Sequence, residues 1–239
     1  LGGQVRWLTD HVDAVAHQQA ALDAASGTVQ VGGLADAPAA LVVGCDLGTG
    51  FPVAGVALRQ AIDAGAEVRY VDCHDHRAGT ARELARDDRA AMVELLKTDG
   101  AVLVVGPAAG DLTDLVRETG CKVLALREGT NAAGLAALGL EPVDAASLAN
   151  GTPTLLLGEA PAGLERPGAF FAAQSVVAAA KVDADLVLPR THYLDDQGTF
   201  TATDGRVCVL TPARERPANW EWLRDLAEAV GAEVDLETV

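Results

Sequence analysis

The sequence predicts an α/β protein made of two packed, Rossmann-like halves, each a doubly wound parallel sheet. Three observations lead there. Short aliphatic runs alternate with amphipathic stretches along most of the 239 residues. Runs of that kind belong to strands buried on both faces and joined by helices. The texture shifts near residue 100, and Leu41-Val42-Val43-Gly44 and Leu103-Val104-Val105-Gly106 open alike on either side of it. The expected organisation is therefore a first half at residues 1–100, including an N-terminal lead-in. A second half at 101–239 carries a loop-rich stretch at 190–212 and a terminal helix.

The elements follow in order. Ala40 to Gly44 reads as a buried parallel strand. Pro52 opens a helix with Val53, Val56, Ala57, Ala61 and Ile62 inward, and Gly65 closes it. Glu67 to Asp72 is the next strand, completing a βαβ unit of ordinary length. A charged helix is expected from about Thr80 to Lys97, and then a strand from Ala101 to Gly106. Asp111 caps a helix carrying Leu112, Leu115 and Val116, which Gly120 ends. Lys122 to Leu126 is a strand and Asn131 to Leu138 a short helix. Strands follow at 154–158, 169–172 and 186–188. Residues 190–210 are rich in Gly and Thr and read as an irregular excursion that packs back on the sheet. Arg206 is its expected anchor, through Asp204 or Asp195. Asn219 caps a last helix with Leu223, Leu226, Ala227 and Val230 inward, closed by Gly231.

Composition narrows the function. The chain is 49% hydrophobic, enough for a sizeable core. A net charge of −16 repels phosphate backbones, so nucleic acid is not an expected partner. No uninterrupted apolar run is long enough to insert in a bilayer. The opening Leu1, with no basic and apolar leader after it, reads as a chain that begins inside a longer protein. Cys45, Cys73, Cys121 and Cys208 are isolated in sequence. That spacing does not make a local zinc or iron–sulfur site, and reduced, packed thiols are expected.

In open α/β sheets, ligands bind beyond the carboxyl ends of the strands. The loops expected there are Gly44 to Gly50, Asp72 to His76, Gly106 to Gly110, and Gly158-Glu159. The first could cradle a phosphate on its amides. It lacks the phase of a dinucleotide fingerprint and the Lys of a P-loop, so a tight strand-to-helix turn is the preferred reading. His74-Asp75-His76, with Asp72 and Cys73, is the densest set of ligand-type side chains. A metal would need a further, distant ligand, so a solvated connection is preferred there too. No G-x-S-x-G elbow is present, and no catalytic or metal-ligating residue is assigned.

Three stretches resemble a known family. Leu41 to Asp72 resembles the molybdopterin-oxidoreductase signature. In it a strand ends in Gly, a loop leads to Pro, and an Arg-bearing helix leads to Gly65-Ala66-Glu67-Val68 and a strand ending in Asp. Asp183 to Val207 is the more specific match, with Leu188-Pro189, Gly198-Thr199-Phe200 and Gly205-Arg206-Val207 at the family's intervals. Thr130 to Gly134, followed by Leu138 to Pro142, resembles the large, molybdopterin-oxidoreductase-like subunit of NADH:quinone oxidoreductase, respiratory complex I. The opening Leu1 to Asp13 is similar to the point where that subunit leaves its preceding domain.

The resemblance covers nearly the whole chain, but only the middle of the family's architecture. It implies that iron–sulfur clusters sit in an N-terminal region outside this chain. The family positions for a pterin guanine dinucleotide map to Gly44, Asp46, Asp72, Gly158, Gly198 and Thr199. The pattern departs where relatives carry an Asn after the first strand's glycine and a Thr-rich segment. Cys45-Asp46 and Val176 to Ala180 stand there instead. The family's acidic residue before Gly-Thr corresponds to Asp195 or Asp196. Four acidic residues (Asp46, Asp72, Asp75 and Glu159) would face a ligand rich in phosphate, with Arg77 and Arg190 to offset them. The resemblance thus implies a vestigial site and a scaffold role in electron transfer from NADH to quinone. The partners would be other subunits of the complex I peripheral arm, peripheral on the cytoplasmic face of the cell membrane. The alternative is the middle of a molybdenum or tungsten bis-pterin enzyme, such as a formate dehydrogenase. Molybdopterin guanine dinucleotide would be retained only in that case.

Overall fold

The computed structural model describes residues 5–74, 82–148, 153–159, 164, 166, 171–175, 183–189, 191–192, 194–214 and 217–232. In chain order the elements are β1 (Arg6–Leu8), α1 (Val12–Ala24), β2 (Ala39–Val43), α2 (Pro52–Asp63), β3 (Glu67–Val71), α3 (Arg89–Leu96), β4 (Val102–Val105), α4 (Thr113–Thr119), β5 (Lys122–Ala125), α5 (Ala132–Ala137), β6 (Glu141–Val143), β7 (Thr154–Glu159), β8 (Phe171–Ser175), β9 (Leu186–Pro189), β10 (Gly198–Thr201), β11 (Val207–Leu210) and α6 (Asn219–Ala229). The fold is α/β with parallel sheets. Two compact units form: one takes in His11–Pro142 and Thr201–Arg206, the other Leu1–Asp10, Val143–Phe200 and Val207–Val239.

The division expected at residue 100 is replaced by one at residues 142 and 143. Hydrogen bonding is the reason. Strands from before residue 100 and strands from after it pair in one four-stranded parallel sheet, in the order β3-β2-β4-β5. A strand beside a paired neighbour satisfies its backbone groups there, so the sheet cannot be cut at that point without stranding them.

Alternation along the strands builds two cores. Leu41, Val43, Leu103 and Val105 point to a face covered by Met92, Leu95 and Leu96 of α3, Leu115 and Val116 of α4, and Ala21 of α1. Ala40, Val42, Val102 and Val104 point to the opposite face, covered by Ala54, Ala57 and Leu58 of α2 and by Val31 and Leu34. The sheet is therefore doubly wound. Gln18 on α1 is 2% exposed, and its Nε2 donates to the carbonyls of Val105 (3.1 Å) and Leu126 (2.9 Å). The Val105 carbonyl also accepts from the Leu126 amide (2.9 Å), so the buried Gln18 amide matters most to the Leu126 carbonyl at the sheet's end.

Four expectations are corrected. On α2, Ala54, Ala57, Leu58 and Ala61 are buried, while Val53 (71%) and Val56 (56%) are exposed, so the inward face is rotated from the expected one. The helix expected from Thr80 begins only at Arg89. Asp88 caps it by accepting from the Ala91 amide (3.2 Å), and Leu84 donates to Tyr70 (2.8 Å) in a bridge beside β3. Thr80 lies outside the described residues. The stretch 190–210 contains a two-stranded hairpin, β10 and β11, with a turn at 202–205. Gly205 takes the positive φ (81°) that the turn needs. Finally, α6 leaves Leu226 (43%) and Val230 (57%) exposed, and Ala218 rather than Asn219 occupies its N-cap. Glu221 satisfies the Ala218 amide at 3.0 Å.

In the second unit, β7, β8 and β9 form a three-stranded parallel sheet. Asp195, 3% exposed, is held in a fork by Arg214 Nε and Nη2 at 2.8 and 2.6 Å. Asn219 donates to Asp196 (2.7 Å) and accepts from the Thr191 amide (2.8 Å). These bonds tie the segment after β9 to the start of α6.

Candidate functional site

Strand order places the topological switch point of the first unit between β2 and β4, the crevice where open sheets of this type take ligands. Gly44 follows β2 with φ +63°, and its amide donates to Val71 (2.9 Å). Gly106 follows β4 and donates to Val43 (2.8 Å), while Ala108 donates to Gly44 (3.1 Å). A Cβ on Gly44 would sit 2.2 Å from the Ala109 nitrogen, and one on Gly106 would sit 2.2 Å from the Gly44 oxygen. The two strand-end glycines therefore exist to let two backbones touch. Loop meets loop across the mouth of the crevice.

Asp46 occupies the turn that leads to α2. Its Oδ1 accepts from the amides of Gly48 (2.9 Å) and Thr49 (3.0 Å), and its Oδ2 accepts from the Thr49 hydroxyl. The Thr49 hydroxyl and amide, with the Gly48 amide, hold its carboxyl below the usual carboxylate range. These are the donors a phosphate would use at a glycine-rich turn before a helix. Asp46 supplies the anion from within the chain.

Asp72 follows β3 with φ +48°, the one non-glycine residue in the left-handed region among the described residues. It pairs with Arg86, whose Nη1 and Nη2 reach the carbonyls of Ala109 and Ala108 at 3.3 Å. Arg86 thus links the loop after β3 to the loop after β4. Sequence reading misses it because it falls in a polar stretch that reads as helix, and nothing in that stretch signals which arginine turns inward. His74 lies beside Asp46 in a parallel bridge, its amide donating to Cys45 (3.0 Å). Asp75, His76, Arg77, Arg190 and Val176 to Ala180 lie outside the described residues, as does the Glu159 side chain. Among the described residues no group of three or more His, Cys, Asp or Glu side chains could hold a metal ion.

The six family-position residues divide between the units. Gly44, Asp46 and Asp72 gather at the carboxyl end of the first sheet. Gly158, Gly198 and Thr199 belong to the second unit. Gly158 (φ +108°) sits where the register of β7 and β8 shifts between Leu156 and Glu159, and a Cβ there would meet open space. Gly198 (φ +141°) begins β10, and Thr199 is exposed.

The motif at 130–134 acts structurally. Asn131 Oδ1 accepts from the Thr201 amide (2.8 Å) and lies 2.3 Å from where a Cβ on Gly134 would stand, so Gly134 makes room for it. Thr203 Oγ1 accepts from the Arg127 amide and donates to the Ala125 carbonyl, both at 2.8 Å. Asp204 accepts from the Val31 amide (3.1 Å) and from Arg206 Nε (2.9 Å). The hairpin tip thus closes the end of β5, and of the two anchors expected for Arg206, Asp204 is the one used. Asp195 pairs with Arg214 instead.

Fold and site together define an α/β chain of parallel sheets in which the loops after β2 and β4 touch across the crevice of the first unit. A stretch of 52 residues, 20% of the chain, is 40% identical to the assimilatory nitrate reductase catalytic subunit of Bacillus subtilis (strain 168). This match gives a general relationship to molybdopterin oxidoreductases, and the chain spans 7% of that protein's length. Among solved structures, one from the formyltransferase/hydrolase complex of Methylorubrum extorquens, determined with methylofuran, superposes with a TM-score of 0.60 at 14% identity. It covers 95% of this chain and 85% of that one, and the likeness is one of fold. No family model matches the chain. No helix among the described residues is long and apolar enough to cross a membrane.

A pterin guanine dinucleotide is the group such a relationship implies, and three features of the first unit bear on it. The amides that would bind phosphate are used by Asp46, the crevice mouth is closed by Gly44 against Ala108 and Ala109, and Arg86 is committed to Asp72. Added phosphate beside Asp46 and Asp72 brings like charges together, a repulsion that solvent and the Arg86 guanidinium screen.

Proposed function

We propose that this chain is a scaffold: a molybdopterin-oxidoreductase-like fold kept for shape and docking, without its pterin cofactor, inside a multi-subunit assembly. The observation that carries the reading is Asp46, whose carboxylate takes the Gly48 and Thr49 donors that a phosphate would need. The assembly we propose is respiratory complex I, with the chain a segment of its large peripheral-arm subunit. Electrons would pass from NADH to quinone through iron–sulfur clusters held outside this segment, on the cytoplasmic face of the membrane.

A second reading has one observation in its favour. The formyltransferase/hydrolase structure matches this chain along almost its full length, 95% against 85%, whereas the nitrate reductase match spans 7% of that protein. Affinity isolation of the tagged protein from its native host, followed by native electrophoresis and peptide sequencing, separates the two. Co-isolation with NADH-oxidising, iron–sulfur subunits supports the first. Co-isolation with formyl-transferring subunits supports the second. A solitary, catalytically competent metalloenzyme overturns the scaffold reading.

A further inference from the structure

We propose that Cys45 and Cys73 form a redox-modification site that closes to an intramolecular disulfide under hydroperoxide. The inference is independent of which assembly holds the chain.

Backbone register brings the two residues together. Val43 is the partner of Val71 in the β2–β3 ladder. The same offset continues past the strands, where Gly44 donates to Val71 (2.9 Å), His74 donates to Cys45 (3.0 Å) and Asp46 bridges His74. Cys45 and Cys73 therefore stand directly opposite on adjacent parallel segments. Neighbouring strands run about 4.8 Å apart, inside the roughly 4.4–6.8 Å between Cα atoms that a disulfide spans. The left-handed Gly44 and Asp72 turn both chains at the same level, and both thiols lie on the α2 side of the sheet.

The pair is asymmetric in the way a peroxide-sensing couple requires. Cys45 is 1% exposed, while Cys73 is partly open to solvent. The hydrogen bond from Cys45 holds the Cys73 thiol below its ordinary value, and the same bond, together with burial, pushes Cys45 up. Cys73 is thus the attacking thiolate and Cys45 the resolving thiol. The Cys73 thiolate attacks one peroxide oxygen; the O–O bond breaks, Cys73 becomes a sulfenic acid and the other oxygen leaves as water after taking up a proton. Cys45 sulfur then attacks the sulfenic sulfur, the S–S bond forms and a second water leaves. Two thiols lose two electrons and one peroxide is reduced to two waters. Closure ties the turn bearing Asp46 to the strand end bearing Asp72. By contrast Cys121 is buried and its thiol is pushed up by burial, so it lacks the access that the attacking role needs.

The test treats the intact chain with hydrogen peroxide and follows free thiols and intact mass, with non-reducing peptide mapping. The expected result is loss of two thiols, a mass drop of about 2 Da and a Cys45–Cys73 linked peptide, all reversed by dithiothreitol. On the unaltered protein, brief alkylation should label Cys73 at least ~10-fold faster than Cys45 or Cys121. Cys45→Ser should leave a Cys73 sulfenic acid that dimedone traps, and Cys73→Ser should slow peroxide consumption by ~10-fold or more. Linkage through Cys121 or Cys208, or stepwise over-oxidation of Cys73 in the unaltered chain without a disulfide, would overturn the proposal.

Discussion

Alanine substitution at three glycines separates backbone strain from steric collision at the crevice. Gly65 has φ +97° with open space where a Cβ would go, so Gly65→Ala meets strain alone. Gly106 lies outside the positive-φ set, and its Cβ would stand 2.2 Å from the Gly44 oxygen and 2.4 Å from Cys45 Sγ, so Gly106→Ala meets collision alone. Gly44 combines both, with φ +63° and a Cβ 2.2 Å from the Ala109 nitrogen. Strain of a non-glycine residue in the left-handed region costs about 1–2 kcal/mol. Overpacking against a core costs about 1–3 kcal/mol, and here the obstacle is backbone, which cannot rotate away. Gly65→Ala should therefore lose about 1–2 kcal/mol and Gly44→Ala about 2–5 kcal/mol. With a urea slope of about 2 kcal/mol per molar, the Gly44 variant's midpoint drops by roughly 1–2.5 M. Urea titration by circular dichroism reads all three. If Gly44→Ala falls within about 0.5 kcal/mol of Gly65→Ala, the loops after β2 and β4 do not touch, and the closed crevice is wrong.

Other outcomes follow from the same contacts. Gln18→Leu should destabilise by about 1–3 kcal/mol, because the buried Leu126 carbonyl loses its donor while Val105 keeps the Leu126 amide; calorimetry checks it, and a neutral result would mean water replaces the amide. Asp204 is pulled up by burial but held below the usual carboxylate range by the Val31 amide and Arg206. A depressed folded value stabilises above the unfolded pKa of about 3.9 and loses that contribution as pH falls through the folded value. Asp204→Asn should accordingly flatten the acid limb of the stability curve, and an unchanged limb would remove Asp204 from the account. Asp46→Ala should release the Gly48 and Thr49 amides, visible as loss of hydrogen-exchange protection at both, while Asp46→Asn retains part of it. The purified chain should contain no iron and no acid-labile sulfide, and several irons per chain would contradict that expectation.

Much of the first unit was legible because its strands are buried on both faces. Runs such as Leu41-Val42-Val43 and Leu103-Val104-Val105 admit few other readings at that length. Gly44, Gly106 and Gly120 were legible as punctuation, although the close approach of Gly44 to Ala109 was not, since contact between loops leaves no local mark. The division of the chain was misplaced for a related reason. Whether β4 extends the sheet of β2 or starts another depends on pairing order, which local periodicity does not encode. Helix α1 went unassigned because its buried side chains are Ala14, Gln18 and Ala21, a face too weakly apolar to register. The hairpin at 198–210 was hidden by exposed Val207 and Val209, whose alternation with Cys208 gives no clear inward face. The cysteines looked isolated because 27 intervening residues separate Cys45 from Cys73 in sequence while the parallel register sets them side by side.

The scaffold account turns on whether the crevice beyond β2 and β4 takes a pterin guanine dinucleotide. The direct measurement is elemental analysis of the full-length protein isolated in its native assembly, combined with chromatography of nucleotides released on denaturation. The account predicts molybdenum and tungsten far below one per chain and no guanine nucleotide in the released fraction. Stoichiometric molybdenum or tungsten together with released guanine nucleotide would contradict it, and would make this chain part of a working bis-pterin enzyme.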